Sequence, residues 1–354
     1  MKPNILLIYT GGTIGMMKDI KTGALKAFDF DKLLYHIPEL KQLDCTIETI
    51  SFETPIDSSD MNTEEWRLIG DMIYDRYDNY DGFVVLHGSD TMSFTGSALS
   101  FMFENLTKPV ILTGSQLPIG DLRTDAKENL ITSIQIATLR KKKKPLIREV
   151  CIYFEYQLYR ANRTAKMNAE HFEAFSSPNF PPLAISGVHL NVDEDLLWKG
   201  YKNREVQVHR VIPRSDDRMH YRPQMIADVV VLKLFPGITE TTVQAICNIP
   251  NLKGIILETY GSGNAPTKSW FIDAMKDCLS KDIRVVNVTQ CRGGSVDMGK
   301  YETSRALKEM GMISGKDLTT EAALAKMMYL LAYIEDDLMF KDCFETSLRG
   351  EITN

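Results

Sequence analysis

Basic charge is not in excess in this chain: 41 Lys and Arg stand against 47 Asp and Glu, giving a formal net charge of -6 and a pI near 5.6. It has no overall means of neutralising a phosphate backbone, which sets nucleic acid aside as a partner. The one basic run, Arg140 to Lys144, follows a helical pattern and reads as a solvated loop. No apolar run approaches the ~20 residues of a membrane span. The apolar stretch behind Met1-Lys2-Pro3 is also shorter than a signal-peptide core, so neither membrane nor export is expected. Cysteines are few and show no C-x-x-C pair. Of Cys45, Cys151, Cys247, Cys278, Cys291 and Cys343, several lie in apolar runs, as reduced core thiols do, and a reducing cytoplasm fits. His87, His171 and His189 show neither triad nor metal-ligand spacing; no metal is expected, and His87 reads as a core histidine. Low-complexity tracts and internal repeats are absent.

What is present is ample apolar sequence, 44% of 354 residues, enough for two domains. Apolar runs at 45–51, 83–87, 109–113 and 149–154 alternate with helical patterns near 63–77, 91–105 and 123–140, the signature of a mostly parallel α/β sheet. Asn62 and Glu65 have capping-box spacing at the first of these helices. From 176 to 222 the regularity fails. A second series then runs through 226–234, 253–258 and 283–289 to helical patterns near 319–334 and 338–349. The expected division is a catalytic α/β domain over 1–200, a linker over 201–222 and a smaller α/β domain over 223–354.

Hydroxyls gather at the strand tips. The run Asn4 to Tyr9 ends in Thr10-Gly11-Gly12-Thr13-Ile14-Gly15, at the sheet edge where α/β proteins bind ligands. Thr13 is there either as a nucleophile or as a helix cap. Phe83 to Leu86 runs into His87-Gly88-Ser89-Asp90-Thr91-Met92, whose Ser, Asp and Thr serve as caps or as site residues. Asp57-Ser58-Ser59-Asp60 follows the 45–51 run, so three polar loops could share one pocket. Lys166, in the polar stretch from Arg160, is either solvated or buried beside Asp90, where it would hold an adjacent hydroxyl ready to lose its proton.

These segments, with Thr113-Gly114-Ser115-Gln116, Asn162-Arg163-Thr164, Tyr260-Gly261-x-Gly263-Asn264-Ala265-Pro266 and Thr289-Gln290-Cys291, lie in order along nearly the whole chain. In that pattern the chain resembles the bacterial-type L-asparaginases, most nearly their cytoplasmic type I branch. The resemblance implies a two-domain fold, with a larger N-terminal mixed or parallel sheet and a smaller C-terminal parallel α/β domain. It implies hydrolysis of L-asparagine to L-aspartate and ammonia through an acyl-enzyme on Thr13, with Ser89, Asp90 and Lys166 as the second catalytic group. Asp90 would also face the substrate's α-amino group, and Asp57, Ser58 and Ser59 would hold its α-carboxylate. Backbone N–H groups beside Ser89 would form the oxyanion site. No cofactor is required. A homodimer or homotetramer is implied, in which the second domain of one subunit closes its neighbour's site and Asn264 contributes there.

Three departures from that pattern stand out. Ser89 occupies a place usually held by threonine, keeping the oxygen and losing the methyl that stiffens χ1. The loop Lys21-Thr22-Gly23-Ala24-Leu25 lacks the tyrosine many members place there; Tyr301 is its nominated substitute, or else a partly buried aromatic at a helix start. Ala165 and Glu258 stand where allosterically regulated members carry threonine and arginine for a second asparagine. An anion in place of that cation predicts no activation through that site. Two rival readings fit less well. A dinucleotide site fails because Gly11-Gly12-x-x-Gly15 is not G-x-G-x-x-G. The asparaginase-like subunit of a tRNA-dependent amidotransferase typically carries an extra N-terminal domain, whereas this chain's first strand starts at residue 4, favouring a free-standing hydrolase.

Overall fold

The computed structural model describes residues 2–18, 25–27, 37–200, 218–299 and 302–353, which fall into two compact units. The first comprises the described residues up to 177 together with 181–200 and 218–223; the second comprises 178–180 and 224–353.

The first unit is built on an eight-stranded sheet. Its strands are β1 (Asn4–Gly11), β2 (Thr46–Ile56), β3 (Gly82–Leu86), β4 (Val110–Thr113), β5 (Val150–Phe154), β6 (Gln157–Arg160), β7 (Ala184–Ser186) and β8 (Leu190–Val192), in the spatial order β8-β7-β6-β5-β4-β3-β1-β2. From β2 through β5 all neighbours are parallel. A strand covered on both faces must be apolar throughout. Ile5, Leu6, Leu7 and Ile8 of β1, and Phe83, Val84, Val85 and Leu86 of β3, are each 0% exposed, and such a side chain contributes ~1.5–3 kcal/mol through burial. The helices α1 (Thr63–Tyr74), α2 (Met92–Met102) and α3 (Ala126–Thr138) connect or follow these strands. The capping box at α1 is present: Asn62 Oδ1 accepts from the Glu64 N–H at 2.8 Å, and Glu65 Oε2 accepts from the Asn62 N–H at 3.2 Å.

Two stretches differ from their sequence reading. The basic run is a small hairpin, Arg140–Lys141 paired with Lys144–Pro145, with Lys142 and Lys143 at positive φ in its turn. The irregular stretch after 176 contains β7 and β8, which extend the sheet through antiparallel pairs. Three-residue strands at a sheet edge carry too little pattern to be legible. The expected linker, 201–222, falls mostly outside the described residues; its last part includes His220–Tyr221, paired with Phe103–Glu104 in the first unit.

In the second unit β9 (Val229–Lys233), β10 (Gly254–Thr259), β11 (Arg284–Thr289) and β12 (Ile313–Ser314) form a parallel four-stranded sheet. Its helices are α4 (Glu240–Cys247), α5 (Ser269–Ser280), α6 (Glu302–Glu309), α7 (Thr320–Tyr333) and α8 (Asp337–Glu345). Leu232, Val243, Ile255, Phe271, Met275 and Val285 belong to its core. Cys247 and Cys278, on α4 and α5, are joined as a disulfide with their Cα atoms 5.6 Å apart, which corrects the expectation of reduced core thiols at these two positions. The two sit 31 residues apart and meet only because their helices pack, so no local spacing announced them. Among the described residues no helix is long and apolar enough to cross a membrane.

Candidate active site

Strand order brings the polar loops together. β1 lies between β2 and β3, with Gly11 opposite Ile56 and Tyr9 opposite Leu86, so the segments after Gly11, Ile56 and Leu86 leave adjacent tips in one direction. The contact between them is at backbone level. Gly12 has φ +85, and a Cβ there would come within 2.6 Å of Gly88 Cα and N; a Cβ on Gly88 would come within 2.5 Å of Ser58 Oγ. Only glycines allow this approach. Thr91 Oγ1 adds a third tie, donating to the Ser58 carbonyl at 2.7 Å.

Neither the Thr13 nor the Thr91 side chain serves as a helix cap. Thr13 opens a 3-10 turn, Thr13–Gly15, whose cap position is Gly12, and no side chain caps it. Thr91 stands at the cap position of α2 but spends its hydroxyl on Ser58, so no side chain caps α2 either. Thr13 is half-buried and its hydroxyl has no hydrogen-bond partner among the described residues. That leaves the oxygen available for chemistry.

Lys166 reaches the same loop by an indirect route. The chain turns back after β5, runs along β6, and pairs Ala165–Lys166 with Phe175–Ser176. Its ammonium then donates to Ser89 Oγ at 2.8 Å and to Asp90 Oδ1 at 2.6 Å, with the lysine side chain 16% exposed and the aspartate 67%. Gln116 completes the group. Its amide nitrogen donates to the carbonyls of Ala169 (3.1 Å) and His171 (3.0 Å), which turns Oε1 toward Ser89 Oγ at 3.2 Å. In the sequence Gln116 stands only as part of the Thr113-Gly114-Ser115-Gln116 motif; its position beside the β4 tip, next to β3, is the available signal. Exchanging Lys166 for Met should lower kcat by about 10²–10⁴-fold, the usual worth of a positioned proton-transfer group, with circular dichroism unchanged. Steady-state kinetics of Lys166→Met checks this.

Asp57 accepts from both the Ser59 N–H (2.9 Å) and the Ser59 hydroxyl (2.8 Å), and these bonds hold its carboxyl below the ordinary value. Asp57 is therefore a fixed anion, and Ser59's hydroxyl is already engaged. Ser58 keeps its hydroxyl and N–H without an acceptor among the described residues. An anion does not hold a carboxylate. The expected carboxylate-binding role thus suits Ser58, while Asp57 suits an ammonium.

Asn264 lies in the second unit, in the turn closed by its N–H donating to the Tyr260 carbonyl at 2.8 Å and by the reciprocal bond at 2.9 Å. Glu258, also in the second unit, is occupied: its carboxylate accepts from Lys233 Nζ at 3.0 Å and from Thr320 Oγ1 at 2.6 Å. Tyr301, the nominated aid to Thr13, lies outside the described residues. No group of three or more His, Cys, Asp or Glu is placed to hold a metal among the described residues.

Comparison with known proteins identifies the family. Residues 4–197 match the family model "Asparaginase, N-terminal" and residues 228–344 match "Glutaminase/Asparaginase C-terminal domain". The chain is 40% identical to L-asparaginase 1 of Escherichia coli K12 over 356 residues, covering 99% of this chain and 98% of that protein. It is 37% identical to a mouse protein named 60 kDa lysophospholipase, covering 99% of this chain and 62% of that one. The crystal structure of L-asparaginase I from Vibrio cholerae superposes with a TM-score of 0.87 at 38% identity, covering 100% of both chains. Matching family models across both units, full-length identity and a shared fold lead to one conclusion: the chain belongs to the asparaginase family.

Proposed function

We propose that the chain hydrolyses L-asparagine to L-aspartate and ammonia through a covalent threonine intermediate. The observation that carries this is the placement of Lys166 against Ser89 and Asp90, whose loop is in backbone contact with the glycine turn that presents Thr13. Thr13 Oγ1 attacks the carboxamide carbon, and its proton leaves with the expelled nitrogen as ammonia. Water then attacks the resulting ester, releases aspartate and returns the proton to Thr13. Ser89, held between Lys166 and Gln116, handles the proton of that water or of the nucleophile. Asp57 and Asp90 hold the α-ammonium and Ser58 donates to the α-carboxylate, so that both charged ends orient the amide. Tyr301 and Asn264 enter as contributions from a neighbouring subunit in a homodimer or homotetramer. The setting is cytoplasmic.

Glu258 supports absence of asparagine activation. It is an anion already paired with Lys233, and it would repel an effector's carboxylate. The test is ammonia release by the purified protein over a wide asparagine range, with glutamine and a lysophospholipid in parallel. Hyperbolic release from asparagine and no fatty acid from the lipid are expected. A sigmoidal curve abolished by changes at Glu258 would overturn the regulatory part. Absence of ammonia from folded protein would overturn the whole reading and favour the partner-dependent amidotransferase role.

A further inference from the structure

Behind the Ser89 loop, buried side chains form a file whose direction donor chemistry fixes. Trp66 Nε1, on α1, can only donate, and it lies 3.0 Å from Thr95 Oγ1 on α2. Thr95 Oγ1 lies 2.8 Å from His87 Nε2, and His87 Nδ1 lies 2.7 Å from the Gly88 carbonyl oxygen. A carbonyl only accepts, so Nδ1 carries the proton. Nε2 of the neutral ring then accepts from the Thr95 hydroxyl, which in turn takes the indole N–H on a lone pair. His87 and Thr95 are 0% exposed and Trp66 6%. Burial also pushes the imidazole down to about 4, so the ring is neutral at pH 7.

The file ends on one peptide unit. The Gly88 carbonyl and the Ser89 N–H belong to the same trans planar group and point in opposite directions. Pinning the carbonyl to the buried imidazole therefore aims the Ser89 N–H away from the core, and among the described residues that N–H meets no acceptor. Accepting a hydrogen bond at the carbonyl also polarises the amide and strengthens its donor. Gly88 itself is packed on two sides, since a Cβ on Gly12 would come within 2.6 Å of Gly88 Cα and a Cβ on Gly88 within 2.5 Å of Ser58 Oγ.

We propose that Trp66, Thr95 and His87 are positioning residues that fix the Ser89 N–H as an oxyanion donor, an inference that rests on the amide hydrolysis proposed above. A loosened donor forfeits part of what a whole one supplies, which is about 10²–10³-fold in kcat.

Two substitutions at Thr95 separate this role from packing. Thr95→Val keeps the shape and removes the hydroxyl; Thr95→Ser keeps the hydroxyl and removes the methyl. With asparagine as substrate, Thr95→Val is expected to lose about 10–100-fold in kcat with KM nearly unchanged, while Thr95→Ser retains nearly full turnover. A packing role predicts the reverse order, with valine the better variant, and that order would overturn the proposal. So would a loss carried by KM instead of kcat. Should Thr95→Val fail to fold, long-range ¹⁵N–¹H spectra of histidine-labelled wild type decide: an Nδ1–H tautomer at His87 is expected, and an Nε2–H tautomer or an imidazolium at pH 7 overturns it. Wild-type ammonia release is the control. Its absence would defeat the hydrolase reading, and the histidine spectrum would still report separately on the file.

Discussion

Thr13→Ala is expected to lower asparagine turnover by about 10⁴-fold or more, since a nucleophile acts as a unit with its activating groups, while leaving the melting temperature nearly unchanged. The second half of that expectation follows from the surroundings of the side chain. Thr13 is half-buried and caps no helix, and its hydroxyl bonds to none of the described residues, so removing that hydroxyl orphans nothing. Substitutions of that kind fall within about 0.5 kcal/mol. A structural threonine would behave in the opposite way, with stability falling and activity following only through the folded fraction. Steady-state ammonia release read alongside calorimetric melting separates the two.

The largest expected effect on stability lies in the second unit. Lys326 of α7 and Glu351 near the chain end are each 0% exposed, with Lys326 Nζ 2.6 Å from Glu351 Oε1. The ammonium also donates to the carbonyls of Phe344 (2.8 Å) and Thr346 (2.6 Å). The carboxylate accepts from the N–H groups of Leu348 (2.8 Å) and Arg349 (2.6 Å). All the polar capacity of both groups that matters is spent on tying the last residues to α7. Lys326→Met leaves a buried carboxylate facing apolar surroundings and should cost about 3–5 kcal/mol, read from urea midpoints.

Acid should erase that difference. Burial pushes the Glu351 carboxyl up, but Lys326 and the two N–H donors outweigh it and leave the group below its ordinary value. A depressed carboxyl contributes stability that is complete above its unfolded value, about 4.3, and is lost as pH falls through the lower folded value. Without Lys326 the buried carboxyl takes up a proton at higher pH than in the wild type, so the gap between wild type and Lys326→Met is expected to narrow as pH falls and to close once both folded states are protonated. A gap independent of pH would contradict the ion-pair explanation.

Legibility in the sequence followed the range of the interactions. The strands at 83–87, 109–113 and 149–154 could be read because a doubly covered parallel strand is apolar along its length, and the observed β3, β4 and β5 fall within a residue of those limits. The loops at their tips announced themselves through glycines beside hydroxyls. Lys166 was nominated, but its approach to Ser89 depends on the β6 return and a two-residue strand pair, which leave no local pattern. Trp66 and Thr95 leave no local signal in the sequence, because what sets them apart is a pair of hydrogen bonds made inside the core. Asp57 illustrates a different gap. The resemblance puts it with Ser58 and Ser59 around a carboxylate, and only its bonds from the Ser59 N–H and hydroxyl show it as a fixed anion suited to an ammonium instead.

The most direct test of the covalent role of Thr13 is rapid-quench mass spectrometry of the protein during asparagine turnover, with the adduct located by peptide mapping. A β-aspartyl ester on Thr13 that forms and decays at catalytically competent rates, and that accumulates when Lys166 or Ser89 is altered, is the predicted result. An adduct on another residue, or full turnover with Thr13 replaced by alanine, would contradict it.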